Sequence, residues 1–320
     1  VSGSGGSDFS DRLPLSRSMI DRDYLTRARP GVLAELRADP SALTMFLARG
    51  RALLAEGGDG PRLELRPAAT VAESATLIYL GRVTEGDLEG RPVLVAILDA
   101  DEADAVSTDA DRWGDLRAIA TELEPLDSGL FTQALAIANW HSTHGFSPRT
   151  GEPTEPGLGG WVRHPSGQHD EESGTHIFPR TDPAVIVGII DDEDRLLLGA
   201  NARWGGDRYS VLAGFVEPGE SFEAAVVREM YEEAGLRVAN PTYLGSQPWP
   251  FPASIMIGFE ARLAPDSVRV PVPDGVEIID LRWFTREELS DGVRTIGIPP
   301  RASIARAIIE RWFGAPLDAP

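Results

Sequence analysis

The 320-residue chain contains no cysteine. That absence excludes disulfides, thiolate zinc sites and cysteine nucleophiles together. It fits a cytoplasmic protein, although a cysteine-free chain folds in either redox compartment. Long apolar runs are missing too. The stretch from Pro183 to Ile190 falls far short of the roughly 20 residues that span a bilayer, so no membrane partner is expected. Val1 to Ser10 is Gly/Ser-rich and lacks the apolar core of a secretion signal. Positive charge is scarce: 30 Lys plus Arg stand against 50 Asp plus Glu, a formal net charge of −20. Such a surface repels a phosphate backbone and argues against a dedicated nucleic-acid binder with a broad basic face. A small anion can still be held if a metal ion intervenes.

What is present is ordinary for a globular protein, with 42% hydrophobic and 25% charged residues. The length implies two domains. Thr76 to Val83 and Val93 to Leu98 are β-rich runs separated by a Gly/Pro-containing segment, which predicts neighbouring strands. Asp99 to Asp111 reads as a solvated loop or a helix start, and Asp115 to Glu122 and Leu130 to His144 carry helical patterns. Nothing in this region points to chemistry. From Gly145 to Gly174 the apolar periodicity vanishes, as in a linker or small irregular insert. A buried-strand run follows (Ala184 to Ile190), then an acidic turn (Asp191 to Asp194) and a second run (Leu196 to Leu198). Strands and helices then alternate to a final helix near Ser303 to Trp312. No internal repeat is visible. The expected division is an N-terminal α/β domain over 1–144, a linker over 145–178 and a C-terminal domain over 179–320.

The chemistry concentrates in one stretch, Gly214 to Leu236, of the form G-x5-E-x7-R-E-x-x-E-E-x-G-aliphatic. Ser221 is a plausible helix N-cap, and Gly235 suits the left-handed position that ends a helix. On a helix, Glu229, Glu232 and Glu233 share one face. Ala224, Val226, Val227, Met230, Tyr231 and Ala234 lie around the other side. Three stacked carboxylates repel each other by roughly 0.2–0.5 kcal/mol per i,i+4 pair on an isolated helix. A bound Mg²⁺ or Mn²⁺ reverses that sign, because hard divalent cations prefer oxygen ligands. Arg228 can pair with Glu220 and fix the preceding loop onto the helix. A Glu-rich face alone is more often just solvated; Gly214, Glu220, Arg228 and Gly235 in register set this one apart.

The stretch resembles the Nudix box of the Nudix hydrolase superfamily at every defining position. The resemblance implies an α/β (α+β) protein whose C-terminal part is a Nudix α/β/α sandwich. It implies metal-dependent hydrolysis of a nucleoside diphosphate linked to another group. By position it assigns Glu229 and Glu233 as principal metal ligands, Glu232 as an assisting one and the main-chain carbonyl of Ala213 as a further one. Gly214, Glu220, Arg228 and Gly235 take structural roles.

A second segment, Ser246-Gln-Pro-Trp-Pro-Phe-Pro-Ala-Ser254, begins 11 residues after Gly235. Its alternating prolines favour an extended chain, on which Gln247, Trp249 and Phe251 project to one side as an edge suited to a planar base. The plain alternative is a proline-rich loop with its aromatics tucked into the core. Beside the box, the segment resembles the signature of the NADH pyrophosphatase (NudC-type) branch. That resemblance implies cleavage of NADH or NAD to nicotinamide mononucleotide and AMP, and removal of NAD caps from RNA by some members. It also implies a homodimer in which Gln247 and Ser254 contact substrate across the interface. It places Glu277 as a further acidic metal or catalytic residue, and Phe178 and Ala305 as substrate contacts. Phe215, in the box loop, is placed to stack on a base. Attack of water on phosphorus is expected, with Glu233 or Glu277 assisting deprotonation. Rival readings are a Nudix hydrolase of ADP-ribose or another dinucleotide, and a non-catalytic nucleotide sensor.

One departure is large. The branch commonly carries a four-cysteine zinc ribbon, whereas Ser147 and Thr150 stand at the first pair of positions and Asp170 and Ser173 near the second. Hydroxyls are poor zinc ligands, and His164 and His169 read as surface residues. The expectation is a smaller N-terminal mixed α/β domain, a degenerate zinc-ribbon-like linker without zinc, and the Nudix domain.

Overall fold

A computed structural model describes residues 9–167, 173–204, 207–292 and 295–318. The described residues of Val1–Ser16, Asp182–Pro248 and Ser254–Pro320 form one compact unit, here the C-terminal unit; those of Arg17–Thr181 and Trp249–Ala253 form the other. Both units are thus discontinuous in sequence, which composition does not foretell. Residues 145–178, read as a linker, belong to the N-terminal unit. No helix among the described residues is long and apolar enough to cross a membrane.

The N-terminal unit contains β1 (Ile20–Asp21), β2 (Leu43–Ala48), β3 (Arg51–Leu53), β4 (Arg66–Pro67), β5 (Thr76–Val83), β6 (Pro92–Leu98) and β7 (Trp113–Asp115). They form one sheet in the order β1-β5-β6-β2-β3-β7, with β4 also on β2. Its helices are α1 (Tyr24–Arg27), α2 (Val32–Ala38), α3 (Ala100–Val106), α4 (Leu116–Ile119) and α5 (Pro125–Thr143). The acidic run after β6 begins a helix because Asp99 and Glu102 form a reciprocal capping box. A hairpin of β8 (Thr154–Gly157) and β9 (Val162–Pro165) fills part of the expected linker. His164 on β9 is 5% exposed, so it is not a surface residue. His169 and Asp170 lie outside the described residues, as does the side chain of Ser173.

The C-terminal unit contains β10 (Asp182–Ile190), β11 (Leu196–Asn201), β12 (Leu212–Phe215), β13 (Val238–Trp249), β14 (Ser254–Leu263) and β15 (Ile278–Phe284), with α6 (Phe222–Ala234), α7 (Arg286–Gly292) and α8 (Ile304–Phe313). The strands order β13-β14-β10-β11-β15, with β12 on β10. Successive side chains of a strand point to opposite faces, and β10 shows it. Val185, Val187 and Ile189 pack with Val226 and Met230 of α6, whereas Ile186 and Ile190 pack with Ile304 and Ile308 of α8. The sheet is therefore sandwiched by helices, as expected.

The fold contains a repeat that the sequence does not show. Strands β2 to β7 correspond in chain order and in sheet order to β10 to β15. In both sheets the first strand pairs parallel with the fifth (β2–β6, β10–β14) and antiparallel with the second and third. The difference is informative: the C-terminal sheet places the 13-residue α6 between its third and fourth strands, and the N-terminal sheet has only a turn at Ala68–Thr70. The N-terminal unit thus has the sheet without the helix that carries the carboxylates. Backbone pairing demands only alternating apolar residues, which many sequences satisfy, so duplicated topology leaves no repeat to read.

Candidate active site

Helix α6 starts where the Ser221 hydroxyl accepts the Ala224 N–H at 3.2 Å, and it stops at Gly235, whose φ of 66° is left-handed. Its buried stripe is Ala225, Val226, Met230 and Ala234, each burial of a large side chain contributing about 1.5–3 kcal/mol. Ala224, Val227 and Tyr231, expected on the packed side, are exposed. With Ala225 buried, the apolar stripe is narrower and rotated from the sequence reading.

Arg228 is the organising cation. Its guanidinium grips both oxygens of Glu220 at 2.8 and 2.9 Å and donates to the Phe215 carbonyl at 2.9 Å. The loop before α6 is thereby tied to the helix, as the sequence suggested. The same guanidinium bonds Glu229 at 2.8 Å and Glu232 at 2.9 Å, so it offsets part of the repulsion along the acidic face. The Glu220 carboxyl is held below its usual pKa by Arg228, and Arg228 is raised, chiefly by Glu220.

The three box glutamates have different surroundings. Glu232 is mostly exposed. Glu229 is largely covered, and its carboxylate lies where a side chain on Gly214 would be: a Cβ built there falls 1.9 Å from its carboxyl carbon. Ala213, the residue before Gly214 on β12, lies opposite Ile186 of β10. Burial raises the pKa of Glu229, against the pull of Arg228. Glu233 is 5% exposed, and its Oε2 is buried without a hydrogen-bond partner among the described residues. Burial first, then repulsion from Glu229, Glu277, Asp274 and Glu232, pushes its pKa up to about 8.

Glu277 precedes β15 and is exposed, and its Oε1 accepts from Asn201 Nδ2 at 3.2 Å. Asn201 ends β11 and is oriented by the Arg203 N–H, which bonds its Oδ1 at 2.9 Å. Asp274 shapes the loop, accepting the N–H groups of Val276, Glu277 and Ile278 at 2.8–3.1 Å. The Asp274-Gly275 pair is a readable turn signal; a lone Asn at a strand end gives none.

The arrangement fits a divalent cation on donor chemistry and charge. It offers a buried unpartnered carboxylate oxygen among like charges, which a hard cation relieves. The carboxylates are not already closed into a cage: no group of three such side chains among the described residues has ligand spacing.

In the second segment Gln247 does not lie on the open edge expected of it. Gln247 is fully buried, and both ends of its amide are used within its own chain: Nε2 donates to the Ala302 carbonyl at 2.9 Å, and Oε1 accepts the Ile304 N–H at 2.7 Å. It caps α8 and is not available as an edge beside Trp249 and Phe251. Ala305, expected at the substrate, is a core residue at 4% exposure. Ser254 begins β14 and Phe215 is exposed in the box loop, both within the C-terminal unit. Trp249 and Phe251 belong to the N-terminal unit, their rings edge-to-face at 5.0 Å beneath the Arg117 guanidinium, while Asn139 donates to the carbonyls of Pro250 and Pro252 at 3.0 Å. Phe178, in the same unit, is exposed beside His176.

A strand-flanked carboxylate helix of this form defines a NUDIX domain, and the description of that family matches residues 180–308. A second description, the NADH pyrophosphatase-like rudimentary NUDIX domain, matches residues 41–140, the sheet without the helix. The NAD-capped RNA hydrolase NudC of Mycobacterium bovis is 39% identical over 96% of this chain and 97% of its own length. That of Mycobacterium tuberculosis is 38% identical over the same shares. The NAD-capped RNA hydrolase NUDT12 of Homo sapiens is 38% identical over 60% of this chain and 43% of its own. The chain belongs to the NUDIX hydrolases, in their NADH pyrophosphatase-like branch.

Proposed function

We propose that the chain hydrolyses the pyrophosphate of NADH and NAD to AMP and the reduced or oxidised nicotinamide mononucleotide respectively, and cleaves the same bond in NAD-capped RNA to leave a 5′-monophosphate RNA. Glu233 carries the hydrolytic reading: a buried carboxylate with an unpartnered oxygen among four other acids is costly unless a cation or proton joins it. The substrate reading is supported by the NAD-capped RNA hydrolases, which match the chain along nearly its whole length.

Glu229, Glu233, Glu277 and the Ala213 carbonyl would hold Mg²⁺ or Mn²⁺, with Glu232 assisting. Such an ion, when bound, supplies Lewis acidity and neutralises pyrophosphate charge. The protein's own groups do the rest. Arg228 keeps the box loop against α6, and Asn201 holds Glu277 in place. Glu233 or Glu277 takes the proton of the attacking water, the water oxygen bonds to phosphorus, and the bridging P–O bond breaks with its electron pair leaving on the other phosphate, which separates the two halves. The test is product analysis with NADH, NAD, NAD-capped RNA and ADP-ribose in Mg²⁺ or Mn²⁺. A much higher kcat/KM for NADH than for ADP-ribose supports the reading; the reverse order contradicts it.

A further inference from the structure

Several arginines of this acidic chain pair with acids. In the turn after α1, Arg29 pairs with Glu35 of α2, and on β5 Arg82 pairs with Asp23 at 2.9 Å. Arg22 and Arg27, in the same part of the N-terminal unit, do not follow. Both guanidinium groups lie over the ring of Trp161, at 5.2 and 4.7 Å from its centroid. Neither makes an ion pair or side-chain hydrogen bond among the described residues. The indole is fixed by its own N–H, which donates to the Tyr79 carbonyl at 2.7 Å. The turn at Gly159 packs on the Arg27 backbone: a Cβ at Gly159 would lie 3.2–3.5 Å from the Arg27 Cβ, carbonyl oxygen and Cα.

Two cations gathered on one ring without a counter-ion are costly, and their chemistry reports it. Desolvation lowers the pKa of both, and the charge of Arg27 lowers Arg22 further, with no carboxylate acting the other way. Cation–π attraction returns only about 0.5–2 kcal/mol per pair. Each guanidinium also presents five N–H donors in a planar fork that suits phosphate oxygens. The net charge of −20 makes the surrounding field hostile to any polyanion, so a phosphate strand binds this chain only where cations are left uncompensated.

The geometry points to Arg22 and Arg27, held on Trp161, as a phosphate-binding site for the backbone of single-stranded RNA. The inference rests on the reading that capped RNA is a substrate, and it names the groups that hold the strand. Because the guanidiniums occupy the indole, the site reads phosphates without stacking on bases, and its binding is sequence-independent.

The test uses the full chain and an uncapped single-stranded RNA of about a dozen nucleotides, with affinity measured against salt. Each released counter-ion contributes a slope of about 0.7 on single strands. The Arg22→Gln/Arg27→Gln double variant should bind RNA at least about fivefold more weakly, with a salt slope shallower by about 1.4. The Arg22→Lys/Arg27→Lys variant should keep most of that slope, which separates lost charge from lost packing. NADH turnover should be the same in all three proteins. Unchanged RNA affinity and slope in the glutamine variant overturn the site. So does equal loss in the lysine variant. Displacement of RNA by inorganic phosphate at matched ionic strength would assign the arginines to a free-phosphate site and overturn the RNA assignment. Failure of NADH hydrolysis with arginine-dependent RNA binding retained would fault the proposed activity alone.

Discussion

Gln247 and Ile304 are bonded within one chain: the buried Gln247 side-chain oxygen Oε1 accepts the first N–H of α8 at 2.7 Å. With the Nε2 bond to Ala302, this makes Gln247 a helix cap. Gln247→Ala leaves two buried backbone groups unsatisfied and should cost about 2–4 kcal/mol. Chemical denaturation checks it, alongside activity per folded molecule. A fully stable variant with lost activity would return Gln247 to the substrate.

Gly214→Ala tests the close approach of β12 to α6. The new methyl meets the flexible end of Glu229, so the carboxylate moves aside and the fold persists. Stability should change by less than about 1 kcal/mol, while the Mg²⁺ concentration for half-maximal rate rises at least about tenfold. Metal titration of the rate reads it; an unchanged requirement would detach Glu229 from the metal.

His141 gives the N-terminal unit a pH dependence. Burial, then repulsion from Arg163, lowers its pKa from 6.5 to about 4, although the Gly160 carbonyl pulls the other way. Arg163 Nη1 donates to its Nδ1 at 2.8 Å, which needs the neutral ring. A depressed folded pKa gives stability that is complete above the unfolded value and is lost as pH falls through the folded one. Between pH 6.5 and 4 the loss should reach about 3 kcal/mol. His141→Gln should remove that part of the slope in urea titrations at several pH values; parallel curves would show that His141 does not titrate on unfolding.

The box was legible because its parts are local. Ser221, Gly235 and the Glu220–Arg228 pair act within one loop and one helix, where spacing in sequence is spacing in space. The paired runs at β5 and β6 and the hairpin of β10 and β11 were legible by the same logic. Gln247 was not, since period two along an extended segment says which residues share a side and nothing about what meets them. Its partner lies 57 residues on, at the start of α8. Asn201 and Glu277, 76 residues apart, are joined only by the pairing of β11 with β15. The repeated sheet was hidden because its twin lacks α6, the one element with a distinctive spelling.

Turnover of NADH by Glu233→Gln, measured beside wild type at saturating Mg²⁺ and with thermal unfolding in chelator at pH 8, tests the account most directly. A carboxyl whose folded pKa is raised to about 8 stabilises fully below its unfolded value near 4.5 and loses that contribution as pH rises through 8. The amide does not ionise, so the metal-free variant should melt higher than wild type at pH 8, with the difference shrinking as pH falls toward 4.5. Its kcat should fall by about 10²–10⁴-fold. A variant that hydrolyses NADH within a few-fold of wild type would contradict the assignment of this helix as the catalytic element.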